Sequence, residues 1–290
     1  MDSREAYSLR EISEYAHRPI PKGGPTTVFF SLPSWALLAL LLLVALGAIG
    51  IGVFAGRRAR EAGKGGHEPL GVVQGTLLGL VGLLLAFGMS MAVGRYENRR
   101  QLVVDEANAI GTAYLRAQLI DEPYRSTSIA LFADYGDAAI ALADEVPDSP
   151  SFNAASARMD GIEHSLWQTA GEAVAHDPRG TGPKLYVEAL NPMFDSHSSR
   201  VASLANRVPD TVIVLLVVGS AIALGVLAMY LAMLGRGLTT PLLAAAVVVL
   251  ILFVTFDLDR PRRGLITVPD APLVSVRDTI DQPPAFAPSR

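Results

Sequence analysis

The run Arg95-Tyr96-Glu97-Asn98-Arg99-Arg100 concentrates charge at the end of a long apolar stretch. Asp105, Glu106 and Asn108 follow within a turn or two, and Asp257, Asp259 and Arg260 close another apolar stretch far along the chain. Arg95 and Arg99 are four residues apart and share one helical face. The two sets are expected to lie at similar depth and to meet as a collar of ion pairs. Such a collar either anchors helix ends in the headgroup layer or forms a charged ring at a pore mouth. Asp257 and Asp259 with Glu106 also offer oxygen ligands to a divalent cation, although nothing in the spacing fixes that geometry.

Other chemistry finds little support. The histidines, His17, His67, His164, His176 and His197, show no metal-ligand spacing. Ser196-His197-Ser198-Ser199 has no catalytic motif around it, and no glycine loop ends in Gly-Lys-Ser/Thr to hold a phosphate. No enzymatic activity and no cofactor are expected. The absence of cysteine excludes disulfides and thiolate metal sites. A net charge of −4 argues against nucleic acid as a partner.

The elements that position the charges are membrane helices. The chain has 290 residues, half of them hydrophobic, and mean hydropathy is +0.35. Four windows are long and apolar enough to span a bilayer: Trp35–Gly56, Leu70–Val93, Thr211–Leu234 and Leu238–Phe256. The first is too long for a signal-peptide core and lacks a small-residue cleavage site. The second continues without proline to about Ile120, so a single helix from Gly71 is expected to cross the membrane and project beyond it. Small residues recur along it in two ridges: Gly71, Gly75 and Gly79, then Gly82, Ala86, Ser90 and Gly94. Such ridges let helix backbones approach closely in lipid. They serve either a neighbouring helix of the same chain or the axis of an oligomer. In the second case Leu83 and Phe87 belong to an apolar neck; in the first they are packing or lipid contacts.

Between the second and third spans no strand-like alternation occurs. Asp121-Glu122-Pro123, Pro147-Asp148-Ser149-Pro150 and Asp177-Pro178-Arg179-Gly180 separate helical segments near 124–145, 152–176 and 183–207. Asn191-Pro192 is expected to kink or break the last. The fold class is therefore an all-α membrane protein. Four spans carry an antiparallel helical bundle built on long extensions of the second and third. The domain plan is a polar segment 1–34, spans 35–93, bundle 94–210, spans 211–256 and tail 257–290. Before Pro19 a short surface helix with Leu9, Ile12 and Tyr15 on one side is expected. Arg57, Arg58, Arg60 and Lys64, with Gly63, Gly65, Gly66 and Pro69, mark a basic flexible loop. The proline-rich end, 269–290, is expected to be disordered unless docked.

Four spans place both termini and the bundle on one side. Ten basic residues near the spans lie on that side and five on the other, which favours a cytoplasmic bundle in a cell inner membrane. The bundle is acidic: eleven carboxylates between Asp121 and Asp177 face only Arg125 and Arg158. Such a field favours cations over anions.

The run Leu83-Leu84-Leu85-Ala86-Phe87, the Arg95–Arg100 cluster and Glu106-Ala107-Asn108-Ala109-Ile110-Gly111-Thr112-Ala113-Tyr114-Leu115-Arg116 resemble the bacterial bestrophin-like family of unknown function. So does the ending Phe256-Asp257-Leu258-Asp259-Arg260-Pro261-Arg262-Arg263-Gly264. The resemblance covers the second span to the chain end. It extends more distantly to true bestrophins, which share an apolar second span followed by an Arg-aromatic-Glu-x-Arg-Arg/Lys pattern. Bestrophins are pentameric ion channels whose second helices line a neck. The resemblance implies a homo-oligomer, pentameric by that analogy, with inorganic ions and the lipid bilayer as partners. Phe87 is the one phenylalanine available to such a neck, and Asp257 and Asp259 correspond only loosely to the acidic calcium clasp of animal bestrophins. The alternative reading is a membrane-anchored sensor or scaffold with a helical input domain and no enzymatic activity.

Overall fold

The computed structural model describes residues 33–62, 67–147, 149–260, 262 and 264–284. The expected surface helix at Leu9–Tyr15, the glycines of the first loop and Pro261 lie outside the described residues. Among the described residues eight helices follow one another: α1 (Ser34–Glu61), α2 (His67–Ala117), α3 (Tyr124–Asp144), α4 (Pro150–His176), α5 (Thr181–Ala205), α6 (Asp210–Met233), α7 (Thr239–Leu258) and α8 (Ala271–Ile280). No strand occurs among the described residues.

The helix ends follow local chemistry. Ser149 caps α4 by accepting from the Phe152 amide at 3.0 Å, with Pro150 in the first turn, where its missing N–H costs nothing. Gly235 adopts φ 68° in the turn between α6 and α7, a conformation open to glycine. α2 runs unbroken for 51 residues, about 76 Å at a rise of ~1.5 Å per residue. Pro69 falls in its first turn rather than in the loop expected there. Two expectations are corrected. α5 is not broken at Pro192, with Leu190 and Met193 on either side fully buried. Burial of its packed face outweighs the ~3 kcal/mol a helical proline costs. The third span also carries no continuous extension: α5 ends at Ala205, and Pro209 caps a separate α6. A residue preceding proline is driven out of the helical region.

In the apolar layer α1 packs against α6 and α7, and α2 against α6 and α7. α1 buries Leu37, Leu41, Ala45, Ile49, Gly52 and Gly56, a strict helical stripe. Its other faces stay open, with Trp35 75% and Phe54 65% exposed. Among the described residues four helices are long and apolar enough to cross a membrane, and lipid is the solvent such open apolar faces require. The closest approach is between α1 and α6. A Cβ on Gly52 would lie 2.1 Å from the Gly225 carbonyl oxygen, and one on Gly56 2.3 Å from that of Met229.

The second core lies where α2 leaves the apolar layer. α2 packs against α5 and α3, α3 against α4, and α4 against α5. Ile110, Phe132, Tyr135, Leu142, Leu166 and Tyr186 fill it, each at most 1% exposed. Tyr114 and Phe132 meet edge to face with ring centres 6.0 Å apart. The tail docks as α8: Leu273 and Ile280 are buried, and Arg277 Nε donates to Asp137 of α3 at 2.7 Å. The helix lies against α2 and α3.

Candidate functional site at the membrane exit of α2

Arg99 is 2% exposed. Its guanidinium donates to the carbonyls of Ser203 at 3.4 Å, Asn206 at 2.8 Å and Leu258 at 3.3 Å, and lies 3.6 Å from Asp259. These carbonyls belong to the last turns of α5 and α7 and the residue capping α5, where oxygens lack intrahelical partners and the helix dipole is negative. One cation thus ties the ends of two helices to the middle of α2. Asp259 in turn accepts from the Val208 amide at 2.8 Å, just ahead of α6. Asp257 accepts from Ser34 Oγ at 3.2 Å and from the Ile266 amide at 2.9 Å, joining the start of α1 to the segment after α7. Arg260 is buried beside this junction in sequence.

Glu106 lies elsewhere. It is fully buried between α2 and α5, 2.9 Å from His197 Nδ1, and paired with the Arg200 guanidinium. The proposed cation site of Asp257, Asp259 and Glu106 is therefore not assembled. Asp257 is taken up by the Ser34 hydroxyl and the Ile266 amide, Asp259 by the Val208 amide and the Arg99 charge, Glu106 is neutralised by Arg200, and no group of three metal-ligating side chains occurs among the described residues. The remaining collar residues face outward. Glu97 and Arg100 pair with each other at 3.4 Å, both more than half exposed, and Asn108 is exposed. Arg95 is half-buried.

The ridge residues divide as well. Gly71 abuts the Tyr230 hydroxyl, whereas a Cβ on Gly75, Gly79, Gly82 or Gly94 would touch nothing. Leu83, Ala86, Phe87 and Ser90 are likewise exposed, opposite the buried Val81, Leu85, Gly88 and Ala92.

A buried polar network missed by sequence reasoning takes one or more residues from each of α2 to α5. Tyr135 donates to Glu163 at 3.2 Å, and its ring meets His197 edge to face at 6.3 Å. The available signal was His197 and Arg200 three residues apart on α5, on one face with no local acidic partner. Burial pushes the Glu163 carboxyl up to about 7, against an opposing pull from His197 and the Tyr135 hydroxyl, with Asp160 and Glu106 adding to the rise. Folded protein thus holds this proton more tightly than unfolded chain, and stability falls as pH climbs from 4.5 to about 7. Glu163→Gln keeps an acceptor for Tyr135 and removes the charge. It is expected to stabilise the protein by ~2 kcal/mol at pH 8 and hardly at all at pH 4.5. Thermal midpoints across that range check this; parallel profiles for both proteins would refute it.

Four apolar helices, a charge-clamped exit and a helical layer define an all-helical membrane protein. The chain belongs to the bestrophin-like family: the model of the Bestrophin-like domain matches residues 38–273. No curated protein matches it. Among solved structures it is similar to a bacterial bestrophin homologue from Klebsiella pneumoniae. A point-mutant form of that homologue aligns with TM-score 0.61 at 14% identity, covering 84% of this chain and 96% of the other. A second mutant gives 0.60 at 13%, covering 88% and 95%. A structure phased on zinc gives 0.56 at 14%, covering 84% and 94%. At this identity the likeness concerns the fold.

Proposed function

We propose that the chain is one subunit of an oligomeric ion channel, with α2 facing the common axis. One observation carries the reading: the face of α2 turned away from its own chain is unoccupied and continuous. In the apolar layer it consists of Gly75, Gly79, Gly82, Leu83, Ala86, Phe87 and Ser90. Beyond Gly94 it becomes polar, through Glu97, Gln101, Asp105, Asn108 and Thr112, all exposed. A lipid-facing helix has no use for open glycines, whereas a narrow axis does. Leu83 and Phe87 are the widest apolar side chains of this face and suit a neck that gates by dewetting. Family membership and the fold shared with a bestrophin homologue support the same reading. So do the carboxylates of α3 and α4, which favour cations.

The reading includes a pentamer, by family analogy. It takes the layer of α2 to α5 as an antiparallel bundle, cytoplasmic by the balance of basic residues, in a cell inner membrane. Labelling of an introduced cysteine in α4 from each side tests the orientation, since the chain has none of its own.

Purified protein in planar bilayers is expected to pass cation-selective current, and Leu83→Ser to raise that current by at least about twofold through wetting of the neck. A detergent particle with the mass of a single chain would remove the shared axis and favour a membrane-anchored sensor or scaffold instead.

A further inference from the structure

A cavity of about 290 Å³ opens where α2 leaves the apolar layer, between α2 and the connection from α5 to α6. Met91 and Gly94 line its membrane side, and Arg95, Asn98, Arg99 and Asn206 its other walls. The two arginines differ in their company. Arg99 is saturated by three carbonyls and Asp259. Arg95 is half-buried, its Nε is shut away from solvent, and that nitrogen has no hydrogen-bond partner among the described residues. Arg95 and Arg207 both lie near enough to oppose the charge on Arg99. Glu97 is turned to the outer surface with Arg100. Asp259, beside Arg99, is already engaged by that guanidinium and the Val208 amide.

With Nε sealed, the two amino ends of the Arg95 guanidinium remain to meet two oxygens of one tetrahedral anion. Chloride offers one centre and no such match. The volume holds a phosphate together with the carbons attached to it. The Met91 and Gly94 wall would receive those carbons at the level of the headgroups.

We propose that this cavity is a phosphate-binding site, taking a phosphoryl oxyanion on Arg95 with Asn98 as a second donor. The ligand is either the phosphodiester of an anionic lipid or free phosphate. The site does not depend on whether the chain conducts.

The test uses the full-length protein in neutral detergent, with thermal unfolding followed during titration of inorganic phosphate, short-chain phosphatidylglycerol or short-chain phosphatidylcholine, at constant ionic strength. A saturable upward shift of about 4 °C is expected with a phosphate-bearing ligand. Arg95→Gln is expected to weaken the response at least tenfold, and Arg95→Lys to retain part of it. Saturation by inorganic phosphate supports the site as one for the free anion. A response to phosphatidylglycerol alone supports the lipid headgroup. Should Arg95→Gln fail to fold, Asn98→Leu fills the mouth of the cavity from an exposed position and must abolish the shift. Absence of any saturable shift in the unaltered protein, or an undiminished one in the folded variants, overturns the proposal.

Discussion

Arg99→Leu is expected to lose about 3–5 kcal/mol of stability, the cost of breaking a buried pair from one side. The leucine would fit the volume but leave Asp259, at 1% exposure, without the Arg99 charge, and the Asn206 and Leu258 carbonyls without their side-chain donor. Arg99→Lys should lose less, because an ammonium satisfies some of the four acceptors but not all of them. Arg100→Leu is the control, one residue along the same helix. Its pair with Glu97 is exposed on both sides and contributes ~0.5 kcal/mol at most. Detergent-solubilised protein should show a drop in thermal midpoint for Arg99→Leu and none for Arg100→Leu. Equal midpoints would mean that Arg99 is an anchor in the headgroup layer and not the tie between α2, α5 and α7.

Gly52→Val and Gly56→Leu are expected to be as severe for a different reason. Both replacement side chains begin with a Cβ well inside the van der Waals contact distance of a backbone oxygen on α6. Backbone cannot swing aside as a side-chain tip can, so α1 and α6 must separate along the whole stripe from Leu37 to Gly56. Overpacking alone costs ~1–3 kcal/mol, and the lost contacts on either side add to it. Gly79→Ala, in contrast, meets open space within the chain. It is expected to leave the thermal midpoint of the isolated subunit within ~0.5 kcal/mol. The comparison is made by heating followed by size exclusion. If Gly52→Val is tolerated as well as Gly79→Ala, the close α1–α6 contact is not the one that holds the membrane layer.

The sequence carried the elements well because their signals are local. Hydropathy marks four spans within a few residues, and Asp121-Glu122-Pro123 or Pro147 to Pro150 end helices by their own chemistry. Partner choice is not local. The small-residue ridges point to α2, yet the close backbone contact between membrane helices uses Gly52 and Gly56 of α1, a glycine pair at the same spacing. Only the fold reveals that Gly225 stands opposite. The charged collar was half readable. Arg99 and Asp259 meet, as their positions at the ends of two spans suggested, whereas Glu106 turns to a histidine 91 residues away. The local signal, His197 and Arg200 on one face of α5, calls for an acidic partner without saying which one. Pro192 is a helix breaker on local grounds alone, and the packed face of α5 overrides it; the prolines of 269–290 mask Leu273 and Ile280, through which the tail docks as α8.

The uninterrupted helix has a mechanical meaning. With Arg99 as fulcrum, its two arms measure ~27 Å toward Ala117 and ~48 Å toward His67, from the rise per residue. A lever so divided magnifies: a sideways push of one ångström on the short arm sweeps the far tip by nearly two. A binder that nudged the outer layer would move the open glycines of the apolar layer without bending a single peptide.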